Sequence, residues 1–296
     1  MKPAPFDYHR ARSIEEATHL LTQTGGKVLA GGQSLVPLMS MRLASPEALV
    51  DIMAIPGLDR IEVDDVVVRI GATVRHRALE TDDGAFAANP LLRKALSQVA
   101  HPTIRNRGTT VGSLVHADPA AEMPAVLVLL GGDVDVVGPG GRPRTIRGDE
   151  LVVGPLESAL AADELAVAAT FPNPGPGSGT AWVELSRRKG DYALVGVGAV
   201  VTVDPDGVLR SARVALVSVG NAPIGVDVGE VVGSTSYREI DWAPAVELVE
   251  AAIDPEADIH ATAAYRRRLA RVLTQRALAE ALAEAVAATV ATPVGR

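Results

Sequence analysis

The chain has 296 residues, enough to bury one large core or several smaller ones without disulfide or metal staples. Its 28 basic and 36 acidic residues give a formal charge of −8, which argues against a broad nucleic-acid footprint, because such binding begins with phosphate neutralisation by a basic surface. It has no cysteine, which rules out disulfides and the usual thiolate-held iron–sulfur cluster or structural zinc on this chain, so any such cluster must sit on a partner.

Residues 1–12 carry charges but no apolar h-region, so a secretory signal is not expected there. No apolar run approaches the ~20 residues that a membrane span needs, and the cytoplasm is the expected compartment. With 20 prolines and 28 glycines the chain must turn often, which favours a mixed α/β or α+β fold over a helical bundle.

In chain order, Ser13-Ile14-Glu15-Glu16 is a capping box that opens a helix with Ile14, Ala17 and Leu21 on its apolar stripe, and Gly25-Gly26 ends it. Short buried strands follow at 27–30 and 49–52, making a small β-α-β unit of the first 55 residues or so. Further strands are expected at 66–70 and 133–136, the latter turning through Gly138-Pro139-Gly140-Gly141 onto Thr145-Ile146. Between them lie helices at 91–99 and 120–130, the second with Asp118 as N-cap and Pro119 at N1. The proline- and glycine-rich stretch 171–179 cannot sustain a helix or a central strand and is read as a domain boundary. Beyond it, strands at 193–203 and 208–219 flank the turn Asp204-Pro205-Asp206-Gly207, and Tyr265, Leu269, Val272 and Leu273 mark the stripe of a terminal helix.

Two glycine-bearing segments stand out. One is Leu29-Ala30-Gly31-Gly32-Gln33-Ser34-Leu35, after a strand; the other is Arg107-Gly108-Thr109-Thr110-Val111-Gly112-Ser113, before a helix. Glycine lets successive amides converge on an oxyanion, and Ser34, Thr109 and Ser113 add hydroxyl donors. Neither matches the phosphate loop GxxxxGK[ST] or the dinucleotide fingerprint GxGxxG, so spacing alone leaves ordinary turns and phosphate cradles both open.

Taken together with ordered motifs along nearly the whole chain, the pair resembles the FAD-binding medium subunit of the molybdenum hydroxylases, the group of xanthine dehydrogenase and aerobic carbon monoxide dehydrogenase. The marks are Phe6-Asp7-Tyr8-His9-Arg10, residues 29–35 followed by Pro37-Leu38-Met39, Ile104-Arg105-Asn106-Arg107-Gly108-Thr109 and Gly112-Ser113-Leu114. They continue in Ala117-Asp118-Pro119-Ala120-Ala121-Glu122, Arg187-Arg188-Lys189-Gly190-Asp191-Tyr192-Ala193 and Ala264-Tyr265-Arg266-Arg267.

The resemblance implies an α+β chain: a two-part FAD-binding domain of the vanillyl-alcohol-oxidase-like (PCMH-type) fold over 1–175, with lobes 1–55 and 56–175. A C-terminal domain of antiparallel sheet and helices would cover 176–296. It also implies that Leu29, Ala30, Gly31, Gly32, Gln33, Ser34 and Leu35 wrap the FAD pyrophosphate, centred on 30–34, and that Thr109, Thr110, Val111, Gly112 and Ser113 meet it from the other side. Glu122 would sit near the ribose or adenine, Tyr192 beside the isoalloxazine, and Asp118 would be a secondary contact. The family usually has adjacent glycines at the positions of Val111 and Gly112. Because valine resists positive φ, either the backbone at Val111 is extended or the contact shifts to Thr110 and Gly112.

Functionally, the resemblance implies electron relay: a molybdopterin large subunit oxidises the substrate, a small subunit carries two [2Fe-2S] clusters, and this chain's FAD passes electrons to NAD⁺, oxygen or a quinone-type acceptor. The alternatives are a stand-alone flavin oxidoreductase with its own substrate and a flavin-free assembly subunit. On the residues alone Glu122 also reads as a first-turn carboxylate favouring the helix dipole, and Asp118 as a cap. His101 and His116 lack metal-ligand spacing and are read as structural, while Arg187-Arg188-Lys189 and Arg266-Arg267-Arg268 read equally as ligand- or partner-facing groups or as solvated edges. No nucleophile elbow or Ser-His-Asp pattern argues for hydrolysis.

Overall fold

The structure, a computed structural model, describes residues 2–291. Its first lobe alternates strand and helix: β1 (Asp7–Arg10), α1 (Ile14–Thr24), β2 (Lys27–Leu29), α2 (Leu35–Ser40) and β3 (Ala48–Asp51). Ser13 caps α1 through its hydroxyl, which accepts from the Glu16 amide at 3.1 Å. The Glu16 carboxylate reaches one residue further back than a standard capping box, to the Arg12 amide at 2.8 Å. Gly25 ends the helix at φ 59°, where its amide donates to the Leu21 carbonyl. The three strands are parallel in the order β1-β3-β2, with β3 central and buried.

The second lobe is built on five antiparallel strands: β4 (Ile61–Val63), β5 (Val67–Gly71), β6 (Asp133–Gly138), β7 (Arg142–Arg147) and, after a small hairpin of β8 (Val152–Gly154) and β9 (Glu157–Ser158), β10 (Leu165–Pro172). Their order is β4-β5-β10-β6-β7, so the last strand in sequence lies in the middle. This corrects the reading of 171–179: Phe171 and Pro172 close the central strand, and Ser178 and Gly179 open the next sheet. Proline is tolerated because Pro172 pairs only with Val67 of β5, whereas the pairing to β6 ends at Thr170.

Helices α3 (His76–Glu80), α4 (Asp83–Ala88), α5 (Pro90–Leu96), α6 (Pro102–Arg105), α7 (Thr110–His116) and α8 (Glu122–Leu130) lie between β5 and β6, and the one-turn α9 (Gly148–Leu151) follows β7. The start of α8 also differs from expectation. Asp118 Oδ1 accepts from the Ala120 amide and its carbonyl from the Ala121 amide, so Asp118 closes a turn that begins four residues before the first helical residue, Glu122. Pro124 then falls in the first turn, where no amide is required. From Glu122 to Leu129 every residue of α8 is buried, which makes it a central pillar.

The third unit is an antiparallel meander, β11 (Ser178–Ser186), β12 (Ala193–Val203), β13 (Leu209–Val217) and β14 (Ile224–Asp227), followed by α10 (Gly229–Val232), α11 (Ala243–Ala252) and α12 (Ala263–Ala291). The face α12 presents to the sheet is rotated from the expected stripe. Tyr265 and Val272 are exposed, while Arg266, Ala270, Leu273, Ala277, Leu278, Ala281 and Ala285 are buried. An alanine seam lets the helix backbone approach the sheet closely at Gly179, where an added Cβ would collide with the Ala281 carbonyl and the Ala285 amide. Trp182, Ala193, Ala215 and Val217 of this unit belong to the core cluster of the first two lobes, so the units share apolar packing.

Candidate functional site

The first glycine segment leaves β2 at Leu29, whose carbonyl accepts from the Ile52 amide at 3.1 Å. Ala30 and Gly31 continue the chain, and Gly32 adopts φ 70°, a conformation that glycine holds without strain. Gln33 folds its side-chain amide back onto the Gly31 carbonyl at 3.2 Å, and Ser34 precedes α2 without using its hydroxyl as a cap. Leu35 is the first helical residue. Gly31 is the junction: a Cβ there would overlap the Arg107 carbonyl and stand 2.7 Å from the Gly108 Cα. The two segments separated by some 75 residues are therefore in backbone contact, and only glycine permits it.

The second segment is pinned from behind by residues 74–76. The His76 amide donates to the Gly108 carbonyl at 2.9 Å, the Thr110 amide to the Val74 carbonyl at 3.2 Å, and the Arg75 guanidinium to the Arg107 carbonyl. Thr109 caps α7, its hydroxyl accepting from the Gly112 amide at 3.2 Å, and the missing side chain at Gly112 leaves room for that hydroxyl. Val111 is neither extended nor at positive φ. It lies in the first turn of α7, buried to 2%, so the valine fills core space at no backbone cost. Thr110 is fully buried, with its hydroxyl 3.2 Å from His76 Nδ1. The side chains of Thr110 and Val111 thus point inward, and any phosphate contact at these two positions runs through the backbone. Gly112 and Ser113 are half-buried.

Asp118, Glu122 and Tyr192 form a second group, past the far end of α7. That helix advances the chain about 10 Å at 1.5 Å per residue. Tyr192 stands on the β11–β12 loop, 72% exposed, with its hydroxyl end against Asp118; partial desolvation, then Asp118 and Glu122, raise its pKa. The loop is set by Gly190 at φ 87°, where a Cβ would strike the His101 ring at 2.5 Å, so His101 is a packing residue. Glu122 is only 7% exposed and is no surface dipole-matching carboxylate. Burial, then Glu184 and Asp118, push its pKa up to about 8 against a partial pull from Arg105. Arg105 is committed elsewhere, in a two-pronged pair with Glu80 at 3.0 Å and on the carbonyls of Val99 and Ala100.

Glu184, which the sequence reading passed over, is pushed up to about 7 by burial although Trp182 Nε1 donates to it at 3.1 Å. Its signal was available: strand alternation puts Thr180, Trp182 and Glu184 on one face. The basic runs resolve differently. Arg187 is exposed, 3.0 Å from His260 Nδ1, whereas Arg266 is a buried staple to the Leu194 and Ser218 carbonyls and Asp258. Among the described residues no group of three or more His, Cys, Asp or Glu side chains is placed to hold a metal.

An adjoining pair of glycine turns, one at positive φ and flanked by hydroxyls, suits a pyrophosphate approached by backbone amides, and the tyrosine at the far end of α7 suits a flat ring. Comparison with known proteins identifies the family. Residues 4–174 match the FAD binding domain in molybdopterin dehydrogenase, and residues 180–281 the CO dehydrogenase flavoprotein C-terminal domain. The chain is 40% identical to the 6-hydroxypseudooxynicotine dehydrogenase complex subunit alpha of Paenarthrobacter nicotinovorans, covering 95% of each. It is 36% identical to the carbon monoxide dehydrogenase medium chain of Afipia carboxidovorans, covering 94% of this chain and 97% of that one. Among solved structures, a chain of reconstituted CO dehydrogenase from Oligotropha carboxidovorans superposes with a TM-score of 0.90 at 36% identity, over 96% of this chain and all of that one. Quinoline 2-oxidoreductase from Pseudomonas putida 86 gives a TM-score of 0.88 at 33% identity, over 96% and 99%. This chain belongs to the family of FAD-binding medium subunits of the molybdenum hydroxylases.

Proposed function

We propose that the chain holds FAD along the line from the glycine turns to Tyr192 and passes electrons from the [2Fe-2S] clusters of a small partner subunit to an external acceptor. A molybdopterin large subunit would oxidise the organic substrate. The observation that carries this is the backbone contact of Gly31 with Arg107 and Gly108, which makes one cradle of two distant segments.

In this reading the amides of residues 30–34 and 109–113, with the hydroxyls of Ser34 and Ser113, receive the pyrophosphate. Tyr192 lies beside the isoalloxazine, Asp118 orients the tyrosine hydroxyl, and Glu122 stands toward the ribose or adenine end. FAD supplies the conversion between single electrons and pairs, and the chain positions and tunes it without a nucleophile of its own. The domain division at 175/176, the lobe division at 55/56 and a cytoplasmic location belong to the same proposal. No helix among the described residues is long and apolar enough to cross a membrane.

The test is the visible spectrum of the purified chain after incubation with FAD and desalting. A retained band near ~450 nm, lost in Gly32→Val and kept but shifted in Tyr192→Ala, is the expected result. A folded wild-type chain that stays colourless, or a Gly32→Val variant that keeps its flavin, overturns the assignment.

A further inference from the structure

Two carboxyls meet at the start of α8 with little to neutralise them. Glu122, the first residue of that helix, is 7% exposed, and apart from its own amide no donor among the described residues reaches its carboxyl. Glu184 approaches from β11, on the same face as Trp182, whose indole Nε1 donates to one of its oxygens at 3.1 Å. β12 leaves the room for this arrangement: a Cβ at Gly196 would stand 3.3 Å from the Trp182 ring and 3.4 Å from that same Glu184 oxygen. The indole therefore holds Glu184 in place without neutralising it.

The charged groups around Glu122 are unevenly balanced. It faces Asp118 from the turn before α8, Glu184 from β11 and Tyr192 from the β11–β12 loop, with Arg105 of α6 as the opposing cation. Arg105 is already held by both oxygens of Glu80 and by the Val99 and Ala100 carbonyls. Burial, reinforced by Glu184 and Asp118, pushes Glu122 up to about 8, and burial pushes Glu184 up to about 7. Charging either carboxyl makes the other harder to charge, so the two titrate as a coupled pair across neutral pH.

We infer that Glu184 acts on the cofactor through Glu122 as a positioning residue, the two carboxyls binding FAD as a protonated pair and loosening it when they ionise. The inference rests on the flavin reading above. A protonated Glu122 can donate to a cofactor hydroxyl as well as accept from one, whereas the carboxylate can only accept. Covering by the cofactor removes the water that remains at Glu122, and the pyrophosphate adds negative charge; both penalise the ionised pair further. The pair therefore binds protons more tightly with FAD present than without it, and FAD affinity falls as pH rises through the neutral range.

The experiment measures the FAD dissociation constant of the full chain by ultrafiltration at intervals from about pH 6 to about pH 8.5, with wild type binding about tenfold or more weakly at the upper end. Glu122→Gln should bind with little dependence on pH. In Glu184→Gln the glutamine keeps an acceptor for the Trp182 indole, and loss of the neighbouring charge should move the midpoint of the profile down by about half a pH unit or more. Glu184→Asp, which restores a carboxyl, should bring the midpoint back toward wild type. A flat wild-type profile, a pH dependence that persists in Glu122→Gln, or a Glu184→Gln chain that binds more weakly at every pH with its midpoint unmoved overturns the inference and leaves the flavoprotein assignment intact. A wild-type chain that binds no FAD at any pH overturns both.

Discussion

His76 and Thr110 meet behind the second glycine turn, Nδ1 3.2 Å from Oγ1, in a place closed to water. Burial and the nearby Arg105 guanidinium push the imidazole down to about 4, against an opposing pull from Glu80, so the ring is neutral at physiological pH. The Gly108 carbonyl is held by the same residue's backbone, so His76 braces the turn through both its amide and its ring.

A histidine whose folded pKa lies below its unfolded value gives up stability on acidification, because the unfolded chain takes the proton first. The contribution is complete above about pH 6.5 and is lost as pH falls through about 4; the gap corresponds to roughly 3 kcal/mol. Urea unfolding of wild type and His76→Asn at intervals between pH 7 and 4 checks this. The variant should be less stable at pH 7 and show a flatter slope; parallel curves would contradict the assignment.

Glu122 works in the opposite direction. Its folded pKa is raised from 4.5 to about 8 by burial and by Glu184 and Asp118, so folding favours its protonated form and stability falls as pH rises from about 4.5 to about 8. Glu122→Gln, which keeps the shape and removes the charge, should stabilise the flavin-free chain at pH 8 by on the order of 4 kcal/mol and leave it nearly unchanged at pH 4.5. Equal effects at both pH values would show that burial does not hold Glu122 in its protonated form.

The Gly31 junction gives a prediction about the cradle itself. Gly31→Ala drives a methyl group into the Arg107 carbonyl and the Gly108 Cα, both backbone, so the two turns must separate and FAD retention after desalting should be lost. Gly25→Ala is the control. Nothing lies within 4 Å of the added carbon, and its φ of 59° costs only about 1 kcal/mol, so flavin retention should survive. Loss in both variants would mean the effect is global.

How much of this was legible in the sequence depended on range. Helix α1 was readable because its signals, Ser13, Glu16 and Gly25, act within a turn of their own position. The glycine segments and Tyr192 were singled out through family resemblance, and what the structure adds is the backbone contact of Gly31 with Arg107 and Gly108. The placement of Phe171 in a central strand was not, because a composition rich in proline and glycine does not reveal that Pro172 lies just beyond the end of β6 pairing. Nor was the role of Thr110: its partner His76 is 34 residues away, and only the crossing of residues 74–76 behind the turn brings them together. Asp118 looked like a cap because it precedes a proline, and the carbonyl-closed turn that displaced the helix start has no sequence mark of its own.

Arg266 illustrates the same limit and yields the last prediction. In a run of three arginines on a terminal helix it looks like any solvated cation, yet it is 6% exposed and its guanidinium donates to the Leu194 and Ser218 carbonyls and to Asp258. Arg266→Met preserves much of the apolar stem and removes every donor, leaving two carbonyls without this partner, which should destabilise the chain by about 2–4 kcal/mol. Arg268→Met, on the exposed side of the same helix, should change stability by less than about 0.5 kcal/mol. Chemical denaturation of the two variants side by side distinguishes a buried staple from a generic basic edge: equal, small losses would return Arg266 to the surface reading. Arg266→Lys should recover only part of the difference, because a single ammonium cannot span the carbonyls and the carboxylate that the planar guanidinium bridges.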